Sequence, residues 1–268
     1  MIQPWLMHTD SRVLASFALH PAGRPDAVVV DWEVHGKRAR QAEAPHLLGT
    51  DTTIRPDAAD AVGRVRAHGF PRVVCRIQPV GTGTAGELAR IREQGGTAAL
   101  VPMWRSPDEV EAVLAAAGDL EVGVMVETTD AVQHCARLRE MGVAFAFVGL
   151  VDLAIDRRTP SIFAPLADGT LDRIADDLGG VPFGFGGLTL PHLGHPVPNR
   201  LLIGELARLG ASFSVMRRSF VSDTEGLDPS AAVRGIRAAL QRAEQRTTDE
   251  VAADRAELLH VLRGLLVG

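Results

Sequence analysis

Residues 122–152 read VGVMVETTDAVQHCARLREMGVAFAFVGLVD, and they hold the repeating unit of the fold. VGVMV (122–126) is short and apolar, as a strand buried on both faces is. Residues 129–141 follow with helical spacing and stop before Gly142, a residue that closes helices in the left-handed conformation. AFAFV (144–148) is a second buried strand. A strand, a covering helix and a second strand make a crossover between parallel neighbours.

The same alternation extends both ways along the chain. Strand candidates are 12–19 (RVLASFAL), 27–32 (AVVVDW), 73–77 (VVCRI), 98–102 (AALVP), 122–126, 144–148, 182–187 (PFGFGG) and 212–216 (SFSVM). Helical patterns occupy 56–68, 85–94, 107–117, 129–141 and 198–209, with a helical tail over 228–246 and 249–266. Ser106, Pro107 and Glu109 read as a capping box with proline at the first helical position. Eight strands separated by helices in 268 residues predict a TIM (β/α)8 barrel with a C-terminal helical extension. The barrel is expected over 1–246. The helix of 247–268 is expected to pack on it or on a neighbouring subunit through Val251, Leu258, Leu262 and Leu265. No GxGxxG follows a strand, which disfavours a dinucleotide-binding sheet. Residues 1–10 find no place in this scheme, and the link HPAGRPD (20–26) is too short and proline-rich for a barrel helix.

Composition narrows the partners. A hydrophobic share of 46% with 23% charged residues is that of a globular chain and excludes a disordered tail or a coiled coil. A net charge of −5, with Arg and Lys dispersed, speaks against nucleic acid. No run of 18 apolar residues exists, so no membrane span is expected. The opening MIQPWLMHTDSR lacks the form of a secretory signal. Cys75 and Cys135 sit in apolar segments and read as buried thiols of a reducing, cytoplasmic setting.

Barrels keep their chemistry at the carboxyl ends of the strands. There the sequence offers Asp31, Glu33 and His35, then Arg76, the stretch 102–105, Glu127 with Thr128, Asp152, His192 and His195, and Arg217 with Arg218. Glu127 and Asp152 end neighbouring strands, so they are expected about 4.8 Å apart. Two such carboxylates repel unless a cation joins them, and magnesium accepts one or two carboxylates while keeping open positions. Alternatively, each caps the helix that follows it. Arg76 is either a salt-bridge partner in the barrel mouth or a bidentate clamp for a substrate carboxylate. Asp31, Glu33 and His35 alternate and would share a side if the strand continued. Glu33 could then orient Arg76, and His35 could move a proton. Gly149, Phe185 and Gly186, beside the strand ends, are candidates for substrate contact. Arg38 and Arg40 are either solvated or partners for phosphate. Lys37, the chain's one lysine, lies in a polar stretch, which argues against Schiff-base chemistry.

The ordered set DAVVVDWEVHGKRAR, VVCRIQP, ALVPMWRSPDEVEAV, VGVMVETTDAV and FVGLVDLAID, within residues 26–156, resembles the HpcH/HpaI aldolase and citrate lyase β-subunit superfamily. The resemblance implies a TIM barrel, homo-oligomeric (trimer or hexamer), holding Mg2+ or Mn2+ on Glu127 and Asp152. It implies that Arg76 binds the carboxylate of a 2-oxo acid and that Glu33 supports this arginine. The activity implied is a metal-dependent carbon–carbon lyase acting on a 4-hydroxy-2-oxo acid through a pyruvate-type enolate. A CoA-thioester lyase or thioesterase of malyl-CoA or citramalyl-CoA type is the alternative. In this chain Val34 follows Glu33, His35 stands one position later than in the aldolases, and Met103 follows Pro102. Those three positions keep a non-catalytic barrel open as a third reading.

Overall fold

A computed structural model describes residues 1–17, 21–47, 56–217 and 219–266. The first half runs β1 (Gln3–Leu6), α1 (Ser11–Ser16), β2 (Ala27–Asp31), α2 (Lys37–Ala42), α3 (Ala61–Ala67), β3 (Val73–Arg76), α4 (Thr84–Glu93), β4 (Ala98–Val101) and α5 (Pro107–Ala117). Then come β5 (Glu121–Val126), α6 (Thr129–Gln133), α7 (Cys135–Met141), β6 (Phe145–Val148), α8 (Leu150–Arg157), α9 (Ala164–Ala167) and α10 (Thr170–Leu178). The chain closes with β7 (Phe183–Phe185), α11 (Asn199–Arg208), β8 (Phe213–Met216), α12 (Phe220–Asp223), α13 (Pro229–Glu244) and α14 (Thr248–Leu266). The strands pair in parallel in chain order and β8 pairs back with β1, so the sheet is a closed eight-stranded barrel. The expected TIM barrel is the fold.

The first strand is a correction. It is QPWL, and the stretch read as strand 12–19 forms α1 over its described part; Ala18 and Leu19 lie outside the described residues. Asp10 accepts hydrogen bonds from the amides of Arg12 and Val13, capping the helix. Leu14 and Phe17, three apart, are both fully buried, which is helical spacing. Other boundaries shift less. The 129–141 helix is broken at His134 into α6 and α7. The 56–68 helix begins only at Ala61. Ser106 makes no capping bond, and Glu109 instead accepts the Arg105 amide at 3.3 Å.

Side chains alternate across every strand, and this parity separates two cores. Outward residues such as Val28, Val30, Val124, Val126, Val148 and Phe185 pack beneath the helices. Inward residues fill the barrel: Trp5, Val29, Val74, Leu100, Met125, Phe145, Phe147 and Phe213. Trp5 stacks on Phe213 with centroids 3.8 Å apart, and Phe145 meets Trp5 edge-on at 5.4 Å. Gly123 leaves space for the Phe145 ring; a Cβ there would overlap it. The aromatic plug closes the lower barrel, so open space remains at the carboxyl ends of the strands. At the far end of the chain, α14 packs on α11 and α9 of its own barrel, burying Leu258 and Leu262. Arg255 bonds the buried Glu205 of α11 at 2.6 Å. Cys75 and Cys135 are both buried and free. Among the described residues no helix is long and apolar enough to cross a membrane.

Candidate functional site

The parity that places Val29 and Val74 inside the barrel places Asp31 and Arg76 there one step higher. The two are register partners on β2 and β3. Arg76 donates from Nε to Asp31 Oδ1 (2.8 Å) and from its second terminal nitrogen to Oδ2 (2.5 Å). Its fork is therefore occupied by a protein carboxylate rather than held open for a substrate. The remaining nitrogen lies 3.4 Å from Glu33 Oε2 and 3.7 Å from Met125 Sδ. Burial works against the guanidinium charge, but Asp31, Glu33 and Glu127 outweigh it and hold Arg76 firmly protonated.

The loop after β2 decides which of the alternating residues point inward. The strand stops at Asp31, and Gln78 seizes the next turn. Gln78 Oε1 accepts from the amides of Val34 and His35, at 3.0 Å each, and its Nε2 donates to Trp32 O. Gly36, at φ 70°, turns the chain into α2, a conformation glycine adopts without strain. Glu33 ends up 1% exposed, facing Arg76, while His35 is exposed and outside the cavity lining. The expected shared side for Glu33 and His35 fails because the extended backbone it requires has ended. Lys37, first residue of α2, is carried inward and is 3% exposed. Its Nζ lies 3.2 Å from Asp31 Oδ2 and 3.5 Å from Glu33 Oε2. One turn later Arg40 donates to Glu33 Oε1 (2.6 Å) and, from Nε, to Asp152 Oδ1 (3.2 Å). The polar stretch around Lys37 is thus part of the site. Arg40 is neither merely solvated nor free for phosphate.

Glu127 follows Val126, whose register partner on β6 is Val148. The residue level with Glu127 is accordingly Gly149, not Asp152. A Cβ at position 149 would overlap Glu127 Oε2 and stand 2.9 Å from Glu127 Cβ. Glycine there gives the carboxylate its seat. Asp152 lies three residues on, in the first turn of α8, where it makes no capping bond and pairs with Arg40. The helix turn returns it to the same cavity that Glu127 lines. Glu127 Oε1 accepts the amide of Met103 at 3.0 Å, an amide aimed by the left-handed φ of 54° at Met103. Glu127 Oε2 is buried with no hydrogen-bond partner. Burial, together with the charges of Asp152 and Glu33 beside it, pushes the Glu127 carboxyl up to about 8, against the opposing pull of Arg76. Asp31, Glu33, Glu127 and Asp152 thus face Lys37, Arg40 and Arg76, four carboxyls to three cations, and the raised proton affinity of Glu127 relieves the surplus negative charge.

An orphaned, buried carboxylate oxygen beside a second carboxylate is the donor set a hard divalent cation takes. Among the described residues no group of three or more His, Cys, Asp or Glu side chains is placed to hold a metal ion together. Any such cation would rest on Glu127 and Asp152 and complete its shell with water or substrate.

The cavity above this base has a volume of about 510 Å3. Arg76, Lys37, Glu127, Gly149, Asp152 and Gly186 line it. Phe185 does not: its parity is outward and it is fully buried beneath the helices, which corrects its reading as a substrate contact. His195 and Arg217 line the rim, His192 does not, and Arg218 lies outside the described residues. Thr128 is the cap of α6, accepting the Ala131 amide at 3.0 Å.

No family model matches the chain, and no curated protein matches it in sequence. Solved structures do match. A HpcH/HpaI aldolase/citrate lyase family protein from Burkholderia cenocepacia aligns over 90% of this chain and 94% of its own, at 17% identity and a TM-score of 0.57. CitE from Mycobacterium tuberculosis, in complex with magnesium and acetate, aligns over 96% of each chain at 18% identity and 0.56. Tryptophan synthase from M. tuberculosis aligns over 90% of this chain and 93% of its own at 17% and 0.58. The neighbours include the superfamily whose motifs the sequence resembles. A differently named enzyme aligns equally well at a like identity, so what these likenesses carry is the barrel.

Proposed function

We propose that the chain is a divalent-metal-dependent carbon–carbon lyase that cleaves or forms a 4-hydroxy-2-oxo acid. The observation that carries this reading is Glu127, a buried carboxylate with an unpartnered oxygen and a raised proton affinity at the centre of the charged base. The likeness to CitE, crystallised with magnesium, supports it. Glu127 and Asp152 would hold Mg2+ or Mn2+, which would act as a Lewis acid toward the 2-oxo group and the electron pair released as the C3–C4 bond breaks.

The chain's own residues do the rest. The one Arg76 nitrogen not spent on Asp31, and the Lys37 ammonium, bring positive charge to the cavity base, where the substrate carboxylate would sit. Arg76 would thus act as a single donor beside Lys37 and not as a two-pronged clamp. Glu33, tied to Lys37, Arg40 and Arg76, would keep these cations in place. Lys37 stands between two carboxylates, which favours its ammonium form over the neutral amine that Schiff-base chemistry needs. His35, outside the cavity, is poorly placed to take the hydroxyl proton.

The test is release of pyruvate from 4-hydroxy-2-oxo acids with Mn2+ or Mg2+, and its loss with EDTA or in Glu127→Ala. Full activity under either treatment would overturn the reading. Cleavage of malyl-CoA-type esters, and not of free acids, would favour the thioester lyase instead.

A further inference from the structure

The cavity is larger than a pyruvate fragment requires, and its two ends differ in chemistry. A volume of this size belongs to the range of pockets that take ligands well beyond three carbons. The charged groups gather at the base, on β2, β3, β5 and the start of α8. The walls above are different. Ile162 and Phe163 come from the segment between α8 and α9, Val197 from the segment between β7 and α11, and Leu47 from beyond α2.

These walls are built. Leu47 packs with Ala44 and Ala154 in a small apolar cluster of its own, with Ile162 against it. Val197 is 1% exposed, although it lines the cavity. Arg217, on the β8 side, donates from Nε to Ser219 Oγ (2.7 Å) and faces Asp223 at 3.9 Å, so its charge is already answered within the protein. His46 and His195 line the cavity but are themselves exposed at its rim.

Building on the lyase reading, we propose that the half of the substrate beyond the cleaved bond is an uncharged hydrophobic group, a branched alkyl or aryl aldehyde. It rests on Ile162, Phe163 and Val197. Gln41, buried with its Oε1 unpartnered, also lines the cavity and leaves one acceptor open there. A second carboxylate or a phosphate seated against Ile162, Phe163 and Val197 would lose its water without a matching partner among those three. A methylene buried there strengthens binding about fourfold, from about 0.8 kcal/mol.

The test is calorimetric titration with stable 2-oxo acids in the presence of Mg2+, which needs no turnover. Pyruvate, 2-oxobutanoate, 2-oxohexanoate and 4-phenyl-2-oxobutanoate form the apolar series; 2-oxoglutarate and 2-oxoadipate carry a terminal carboxylate. The expected result is a rise of about fourfold per methylene, at least 50-fold from pyruvate to 2-oxohexanoate, with no comparable gain for the diacids. In Ile162→Glu the ratio of 2-oxohexanoate to pyruvate affinity should fall at least tenfold. Ile162→Ser serves if that variant does not fold. A flat series, tighter binding of the diacids, or an unchanged ratio in the folded variant overturns the proposal. A steep series without C–C cleavage of any 4-hydroxy-2-oxo acid would sink the lyase reading and leave the apolar compartment standing. No binding by any of the six compounds would overturn both.

Discussion

Gly149→Ala is the smallest change that reaches the charged base. The φ of Gly149 is −86°, open to any residue, so backbone strain plays no part. The cost is steric. The new methyl group would stand 2.9 Å from Glu127 Cβ and 3.1 Å from Met125 Cε, and would overlap Glu127 Oε2. Carbon atoms pack at about 3.5–4.0 Å, so one side must retreat by roughly 0.6–1 Å. If Glu127 moves, it gives up the Met103 amide; if the start of α8 moves, it carries Asp152 with it. Overpacking of this kind costs about 1–3 kcal/mol, or about 2–5 °C in Tm for a chain of this size. On the proposed reading Glu127 is a metal ligand, and displacing it should weaken Mn2+ binding about 10–100-fold. Gly86→Ala in α4 is the control, because nothing lies within 4 Å of a Cβ there, and it should hold or raise Tm. Thermal melts and Mn2+ titration followed by electron paramagnetic resonance read both effects. A Gly149→Ala protein with the Tm and Mn2+ affinity of the unaltered chain would refute the idea that glycine seats Glu127.

Three further outcomes are expected. Asp31→Ala leaves Arg76 and Lys37 buried without their main partner and should cost about 3–5 kcal/mol in urea unfolding; a loss below 1 kcal/mol would contradict the pairing seen here. Glu127 has a pKa of about 8 in the fold against an ordinary 4.5, so between these values the folded chain holds a proton that the unfolded chain releases. Metal-free stability should therefore fall as pH rises from about 4.5 to about 8 and level off above; the Glu127→Gln protein should lose much of this slope, and an identical slope in both proteins would count against the burial argument. Lys37, buried between two carboxylates, should resist amine-reactive reagents in the native protein and react on unfolding. Native labelling of Lys37 at the rate of a free lysine, read by mass spectrometry, would show that the amine is open.

Much of this was written in local pattern. Seven of the eight strands are runs of buried apolar residues that periodicity alone reveals. The first strand escaped because QPWL is four residues long and opens with Gln and Pro, while the longer apolar run beside it is a capped helix. Parity within strands was also legible. Met125 and Glu127 share one side of β5, as Val74 and Arg76 share one side of β3, and the same count sends Phe185 outward beneath the helices. Glu127, Arg76, Gly149 and Gly186 were therefore within reach of the sequence as residues of the barrel mouth.

What the sequence could not express was what happens where a strand ends. Between Asp31 and Lys37 the chain leaves the extended form, and the direction of each side chain is set by Gln78, 41 or more residues further along. That contact turns Glu33 in, leaves His35 out and carries Lys37 and Arg40 into the charged base. The same holds for Asp152, whose place depends on one turn of α8 and on Arg40, 112 residues earlier. Periodicity along the chain fixes strands, parity and barrel, because these follow from local geometry and burial. The pairing of charges at the mouth depends on loops folding over distant elements, and only the closed barrel brings those together.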